Sequence, residues 1–162
     1  MRVVFIQAGG TIDKDYPRRI GGYAFEVGEP AVNRILGRVN PDFEYEVLPV
    51  VRKDSLDMTE EDRLRIYETC QGVDSDRIVV THGTDTMIET AEKLSGIKGK
   101  VIVLTGAMRP EKFKDSDADF NVGTAIAAVS LLEEVVYIAM NGRVHPWNKV
   151  KRNMKTGQFT EK

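Results

Sequence analysis

The chain holds few residues that form cross-links or bind metals: one cysteine and two histidines among 162 residues. A single cysteine excludes an internal disulfide. We expect Cys70, which lies on a predicted helix, to be a buried small side chain rather than a reactive thiol. His82 and His145 stand far apart in the sequence with no third ligand beside them, so we expect no zinc site.

Long hydrophobic runs are also missing. No apolar run approaches the ~20 residues that a membrane-spanning helix needs. The N-terminus leads directly into the strand pattern Arg2-Val3-Val4-Phe5-Ile6, without the apolar stretch and cleavage site of a signal peptide. We therefore expect a cytoplasmic protein with no membrane partner.

Charge of one sign is not in excess, since 23 basic and 25 acidic residues give a net charge of −2. Basic residues concentrate only in 149–155, a segment without an aromatic residue, although Trp147 lies just before it. Such a segment can be a nucleic-acid patch. The balance over the rest of the chain favours the other interpretation, that no nucleic acid binds.

The length of 162 residues suits one domain over residues 1–162, and five short apolar runs recur along it. Each run is rich in β-branched residues and nearly continuous in apolarity. That pattern is typical of strands buried on both faces of a parallel sheet. The runs cover residues 3–8, 45–51, 77–81, 101–105 and 135–140.

Helical patterns fill the intervals between these runs. In the first, Pro30 stands near the first turn and Gly37 at the end. In the second, Thr59 is followed three residues later by Asp62, close to a capping box. The alternation predicts a three-layer αβα sandwich around a doubly wound, mainly parallel, flavodoxin-like sheet. The predicted helices cover residues 29–37, 59–72, 84–94 and 118–132.

Two segments fit neither pattern. Residues 9–28 form a long glycine-rich loop, and a loop of that length in a small domain is usually functional. We expect it to be a mobile lid over an active site. Residues 149–162 are polar and carry no helix or strand signal, so we expect a C-terminal tail that is mobile or docks onto a neighbour.

Chemically useful residues crowd the ends of four predicted strands. Ligands of a doubly wound sheet bind at the carboxyl ends of its strands. Small hydroxyl residues, glycines and carboxylates occupy all four positions, and purely structural loops would rarely repeat that composition. We therefore expect a binding or catalytic site at this edge. The segments are 8–12, 53–58, 81–87 and 105–110.

The first of these segments contains Gly9, Gly10 and Thr11. Two glycines allow a sharp turn that brings backbone N–H groups close to a ligand, and the threonine adds a hydroxyl. The same residues could also form a helix N-cap or a plain turn. Neither the lysine of a P-loop nor the three-glycine dinucleotide pattern follows, so we expect no nucleotide cofactor.

The third segment, 82–86, ends a buried strand and begins a predicted helix. Thr84 and Asp85 should therefore lie at a positive helix N-terminus. Asp85 could serve only the helix dipole, or it could join Thr84 in holding a water and an amino-acid zwitterion. We expect His82, directly before a glycine, to pack structurally rather than to act as a base.

Three of these motifs resemble those of the bacterial-type L-asparaginase family: Gly-Gly-Thr-Ile at 9–12, Thr-His-Gly-Thr-Asp-Thr-Met at 81–87 and Gly-Ala-Met-Arg-Pro at 106–110. Their order and spacing match the N-terminal domain of that family over essentially the whole chain. The resemblance implies hydrolysis of the side-chain amide of L-asparagine to L-aspartate and ammonia. It also implies a threonine nucleophile and the absence of metal and organic cofactor.

The resemblance assigns catalytic roles by position. Thr11 is similar to the nucleophile, and Tyr23 to the loop tyrosine that closes over it. Thr84 and Asp85 match the pair that holds the water and the α-amino group of the substrate.

A lysine partner of Thr84 should follow the fifth strand. We choose Lys151 over Lys149 for this role. Lys151 can be a base only if burial lowers its pKa, and otherwise it acts as a charge or proton relay. With such a lysine, activity should rise toward alkaline pH.

The resemblance likewise implies substrate contacts. Ser55 resembles the binder of the substrate carboxylate, Ala107 would offer its backbone carbonyl, and Gly10 and Gly83 would offer backbone at the same edge. One departure is Leu56, because the family usually has a glutamine after the serine.

A second departure is length, since full-length members carry a C-terminal domain that completes a neighbour's site. This keeps open an alternative function, a catalytically inactive amino-acid-binding or interaction module of the same fold. A fragment of a tRNA-dependent amidotransferase is a third interpretation, which the lack of a basic surface opposes. The family resemblance finally implies a homodimer or higher homo-oligomer acting on a small amino-acid amide.

Overall fold

The computed structural model describes residues 1–19, 21–22 and 24–162. Strands and helices alternate along the chain, and three short 3₁₀ turns (Thr11–Asp13, Ser55–Asp57 and Trp147–Lys149) connect them. In chain order the elements are β1 (Arg2–Gly9), β2 (Lys14–Asp15), β3 (Glu26–Val27), α1 (Ala31–Val39), β4 (Glu44–Lys53), α2 (Glu60–Gly72), β5 (Arg77–Thr81), α3 (Met87–Leu94), β6 (Val101–Thr105), α4 (Ala118–Leu131), β7 (Val136–Met140), β8 (Arg143–Pro146), β9 (Val150–Arg152) and β10 (Phe159–Glu161).

The central sheet has the strand order β4-β1-β5-β6-β7-β8. Its first five strands run parallel, and β8 pairs antiparallel with β7 at the edge. The chain leaves β1 first to one side, to β4, and then to the other, to β5. The strand order therefore reverses at β1, and the doubly wound, mainly parallel sheet predicted from the sequence is confirmed.

Helices cover both faces of this sheet, because successive strand residues point to opposite sides. On one face, α2 and α3 pack against alternate residues of the strands. On the other, α1 and α4 do the same. The predicted αβα sandwich is thus confirmed. The first face includes Ile6, Ile78, Ile102, Ile66 and Leu94, and the second Phe5, Val79, Val103, Leu36 and Val129.

Helix α2 begins with the capping box that the sequence predicts. The Thr59 hydroxyl accepts a hydrogen bond from the Asp62 backbone N–H at 3.2 Å, and the Asp62 carboxylate accepts from the Thr59 N–H at 2.9 Å. Burial alone would raise the pKa of Asp62. Hydrogen bonds from Lys53 and Thr59 outweigh that effect and lower it.

Helix boundaries shift in two places. Helix α1 starts at Ala31 and continues past Gly37 to Val39, ending at Asn40 in the left-handed region. Helix α3 starts at Met87 instead of residue 84. Thr84 and Asp85 therefore lie in a bend before the helix rather than in its first turn.

The two segments without a clear pattern both contain short antiparallel strand pairs. In the first, Lys14 pairs with Val27 where β2 meets β3. In the second, β9 and β10 form a hairpin in which Phe159 lies opposite Arg152. Val150 and Phe159 are buried in the core, so this part of residues 149–162 packs onto the domain. In the sequence, Val150 and Phe159 are the isolated apolar positions that could have indicated this packing.

Cys70 is fully buried in α2, as the sequence predicts, and burial raises the pKa of its thiol to about 12. The thiol therefore stays protonated and unreactive near neutral pH. None of the helices in the described part of the chain is long and apolar enough to span a bilayer.

Candidate active site

The end of β1 meets the end of β5 backbone against backbone. Gly9 and Gly10 have φ angles of 98° and 87°, in the region that favours glycine. A Cβ atom on Gly10 would lie 2.3 Å from Gly83 Cα, closer than any real contact. The Gly10 N–H donates to the Lys53 carbonyl at 2.9 Å. The segments 8–12 and 81–87 therefore touch at the position where the strand order reverses.

Ser55, after β4, lies against the same junction. A Cβ atom on Gly83 would be 2.7 Å from the Ser55 hydroxyl oxygen. That oxygen accepts a hydrogen bond from the Thr86 N–H at 3.3 Å, and the Thr86 hydroxyl donates to the Ser55 carbonyl at 2.9 Å. Ser55 is buried, while its neighbour Leu56 is 74% exposed. The loop after β4 is thus tied to the loop after β5.

The loop after β6 completes the group. A Cβ atom on Gly106 would lie 2.3 Å from the His82 carbonyl oxygen, and the His82 N–H donates to the Thr105 carbonyl at 2.8 Å. Ala107 is buried beside Ile12. The four strand-end loops therefore converge, with Thr11 and Thr84 partly exposed on them.

His82 has a structural role, as the sequence predicts. It is fully buried, its Nδ1–H donates to the Gly83 carbonyl at 2.7 Å, and its Nε2 accepts from the Thr90 hydroxyl at 2.7 Å. Burial lowers the pKa of the imidazole to about 4. His82 is therefore neutral near pH 7, and both of its ring nitrogens hold the loop in place.

Asp13 is a buried acid that the sequence analysis missed. Its side chain is in the same 3₁₀ turn as Thr11 and accepts a hydrogen bond from the Ala31 N–H, at the start of α1, at 2.7 Å. Burial raises the pKa of this carboxyl to about 7, against the opposing effects of the Ala31 hydrogen bond, Gln7 and Arg34. Asp13 therefore links α1 to the turn that contains Thr11. The available signal was an acid two residues after Thr11, directly behind the apolar Ile12.

Asp117 and Asn121 were also missed, although they hold the turn that contains Ala107. The Asp117 carboxylate accepts from the N–H groups of Met108 and Arg109 at 3.0 and 3.1 Å. The Asn121 amide donates to the Gly106 carbonyl at 3.0 Å and to Asp117 at 2.8 Å. Their i, i+4 spacing, with Asp117 directly before the predicted fourth helix and Asn121 in its first turn, was the signal for this pair.

Asp85 is held by a basic residue that the sequence analysis did not choose. Its carboxylate forms a close ion pair with the guanidinium of Arg152. The Arg152 side chain is only 18% exposed, whereas that of Asp85 is 45% exposed. The less exposed guanidinium thus pairs with a carboxylate that remains accessible to solvent.

Lys151 is not brought to Asp85. It lies on β9 opposite Thr160 and is exposed. Because side chains alternate along a strand, Arg152 shares the face of buried Val150, and Lys151 projects from the other face. Lys149, the second choice, is exposed at the end of a 3₁₀ turn. Tyr23 lies outside the described residues.

Comparison with known proteins places the chain in a family. The family model described as asparaginase, N-terminal matches residues 2–160. A probable periplasmic L-asparaginase of Haemophilus influenzae is 30% identical over an alignment of 153 residues, and the match covers 88% of this chain and 43% of that protein. L-asparaginase 1 of Escherichia coli K12 is 36% identical over an alignment of 120 residues, and the match covers 69% of this chain and 35% of that protein.

Solved structures agree. The thermostable L-asparaginase of Thermococcus kodakarensis superposes with a TM-score of 0.86 at 25% identity, over 99% of this chain and 51% of that one. A probable cytoplasmic L-asparaginase of Campylobacter jejuni gives 0.77 at 28% identity, over 99% and 52%. The chain thus spans about half the length of these structures. It belongs to the asparaginase N-terminal domain family.

Proposed function

We propose that the chain is an L-asparaginase-type amidohydrolase that converts L-asparagine to L-aspartate and ammonia with Thr11 as nucleophile. The observation that carries the proposal is the convergence of four strand-end loops at the reversal of strand order. Two partly exposed threonines and an accessible carboxylate stand on those loops. The family relationship supports the same chemistry.

In the proposed first step, the Thr11 hydroxyl oxygen attacks the side-chain amide carbon. The C–N bond breaks, and the hydroxyl proton goes to the departing nitrogen, which leaves as ammonia. A water held at Thr84 then cleaves the acyl-threonine ester and returns a proton to Thr11. Splitting one difficult substitution into two steps is the advantage of covalent catalysis.

Negative charge develops on the amide oxygen in both steps. The Gly10 N–H already donates to a carbonyl, so we propose the N–H groups of Thr11 and Thr84 as its partners. Each such donor typically contributes ~3–4 kcal/mol to the transition state. Gly10 and Gly83 let the two backbones approach this closely, and Ala107 would offer its carbonyl to the substrate amide.

The other end of the substrate is a zwitterion. We propose that the Asp85 carboxylate binds its ammonium group. The Ser55 hydroxyl accepts from Thr86 and can donate its own proton to the substrate carboxylate. Holding both charged groups orients the amide for attack. Three points stay predictions: that Tyr23 is the lid residue, that the protein is a homodimer and that it is cytoplasmic. Light scattering tests the homodimer.

An ammonia-release assay with L-asparagine, L-glutamine and simple amides tests the proposal. We expect wild type to release ammonia from L-asparagine and Thr11→Ala to be slower by at least ~10³-fold in kcat, as for other nucleophile deletions. Thr124→Ala is the matched control, at a threonine on α4 whose hydroxyl donates to the Phe120 carbonyl in the same helix. A fully active Thr11→Ala would show that Thr11 is not the nucleophile.

The alternative function, an amino-acid-binding module without turnover, is favoured by one observation: the basic group at Asp85 is an arginine, which cannot accept a proton near neutral pH. Calorimetric binding of L-asparagine without ammonia release would support this alternative. The two assays on one preparation therefore separate catalysis from binding.

A further inference from the structure

The family resemblance predicts a lysine partner for Thr84, next to Asp85, but the basic group that the structure puts against Asp85 is Arg152. A guanidinium has five N–H donors and no acceptor, and it stays protonated in proteins. A lysine amine, in contrast, can lose its proton when burial lowers its pKa. The position that would hold a titratable amine therefore holds a permanent charge.

We infer that Arg152 is a positioning residue of the proposed site: it acts through Asp85, fixing that carboxylate for the ammonium group of an amino-acid ligand, and takes no part in proton transfer. The inference rests on the proposed function only for the identity of the ligand. It requires that the guanidinium be held rigidly and that Asp85, not Arg152, meet the ligand.

The exposure of the two side chains agrees with the second requirement. Asp85 is 45% exposed, and Arg152 is 18% exposed. The Arg152 Nε is buried and has no hydrogen-bond partner among the described residues. Asp85 is thus the accessible member of the pair, and Arg152 lies behind it.

For the first requirement, a chain of hydrogen bonds anchors the backbone of the hairpin that carries Arg152. The Phe159 N–H, opposite Arg152 in the hairpin, donates to the Asn141 side chain at 3.0 Å. The Asn141 N–H donates to the Asn121 side chain at 3.2 Å, and Asn121 donates to the Gly106 carbonyl at 3.0 Å. The hairpin that carries Arg152 is therefore connected to the loop after β6, which lies in the same site.

The hairpin turn is itself well held. The Asn153 N–H donates to the Gln158 carbonyl at 2.8 Å, and the Gly157 N–H donates to the Asn153 carbonyl at 2.7 Å. The Asn153 side chain accepts from the Lys155 N–H at 2.9 Å. These bonds set the direction of the strand directly after Arg152.

A double-mutant cycle in the intact chain tests the inference. L-asparagine turnover is measured for wild type, Asp85→Asn, Arg152→Gln and the double variant. Arg143→Gln, at an exposed arginine on β8, is the matched control. We expect each single change to raise KM at least tenfold, with a smaller loss in kcat. The KM of the double variant should be no higher than that of the more impaired single variant. Arg152→Lys, which keeps the charge, should recover most of the affinity.

Several results would overturn the inference. Independent, multiplicative effects of the two changes would show that Arg152 does not act through Asp85. A kcat loss above 100-fold with an unchanged KM would assign Arg152 to chemistry instead of positioning. A larger loss of L-asparagine turnover in Lys151→Gln than in Arg152→Gln would show that Lys151, and not Arg152, is the basic residue that serves the site.

Failure of the proposed function gives a different pattern. If wild type releases no ammonia, the same cycle is measured by calorimetric titration with L-aspartate. Coupled losses of affinity at Asp85 and Arg152 then support the inference without catalysis, and equal affinity in wild type and Arg152→Gln overturns it. Wild type that neither turns over L-asparagine nor binds L-aspartate overturns the proposed function and the inference together.

Discussion

Burial shifts the pKa values of two side chains, Asp13 and His82, in opposite directions. Asp13 has its pKa raised to about 7 by burial, and His82 has its pKa lowered to about 4 by burial. The folded chain therefore keeps a proton on Asp13 that the unfolded chain releases near pH 4. It lacks a proton on His82 that the unfolded chain binds below about pH 6.5.

These shifts predict the pH dependence of stability. Between about pH 4 and 7, Asp13 makes the native state bind more protons, so its contribution to the unfolding free energy falls as pH rises. Between about pH 4 and 6.5, His82 makes the unfolded state bind more protons, so its contribution rises with pH. The two effects oppose each other in wild type.

Asp13→Asn should remove the Asp13 effect and leave the His82 effect on the unfolding free energy unopposed. The amide oxygen can still accept from Ala31 but cannot ionise, so the unfolding free energy should rise with pH more steeply between about pH 5 and 6.5 than in wild type. At pH 8 the variant should be more stable than wild type by up to ~4 kcal/mol, the order expected for a shift of this size. Urea titrations from pH 5 to 8 measure this, and parallel wild-type and variant curves would contradict it.

At the scale of elements, the start of α2 is determined by a local cap and the start of α3 by a distant contact. The Thr59–Asp62 capping box can be recognised in the sequence because its partners are three residues apart. The start of α3 could not be recognised in the same way. The Thr86 backbone and hydroxyl bond to Ser55, 31 residues earlier, and so hold the preceding residues in a bend.

Thr59→Ala should lower the unfolding free energy by about 1 kcal/mol, because the Asp62 N–H loses its side-chain acceptor. Thr69→Ala, in the same helix, is the control, since its hydroxyl bonds only to the Arg65 carbonyl one turn earlier. Chemical denaturation of both variants measures the difference. Equal losses would mean that helix propensity, and not the cap, determines the effect.

At the scale of the whole molecule, the candidate site depends on strand-end loops that come into close contact at glycines. A Cβ atom would lie only 2.3 Å from the neighbouring backbone both at Gly10, against Gly83, and at Gly106, against His82. Such an approach occurs only when β1, β4 and β5 are neighbours in the order observed. The site is therefore a property of the complete sheet rather than of any one motif.

Gly10→Ala should both destabilise the chain and impair ligand binding. The new methyl group would meet Gly83 at 2.3 Å, with φ at 87° as a second penalty, so we expect a loss of at least ~2 kcal/mol. Gly123→Ala on α4 meets nothing within 4 Å and should stabilise the helix by about 0.5–1 kcal/mol. Thermal unfolding of the pair checks both signs, and a neutral Gly10→Ala would contradict the close approach.

The sequence alone determined the strand and helix alternation, the parallel sheet and the motifs around Thr11, Thr84 and Ala107, because apolar periodicity and turn residues act over a few positions. Tertiary structure alone decided which basic side chain reaches Asp85. Pairing of β9 with β10 and burial of Val150 and Phe159 turn Arg152 inward and Lys151 outward. Likewise, only packing of α1 over the Thr11 turn buries Asp13. Both depend on residues far apart in the chain, whose proximity no local pattern encodes.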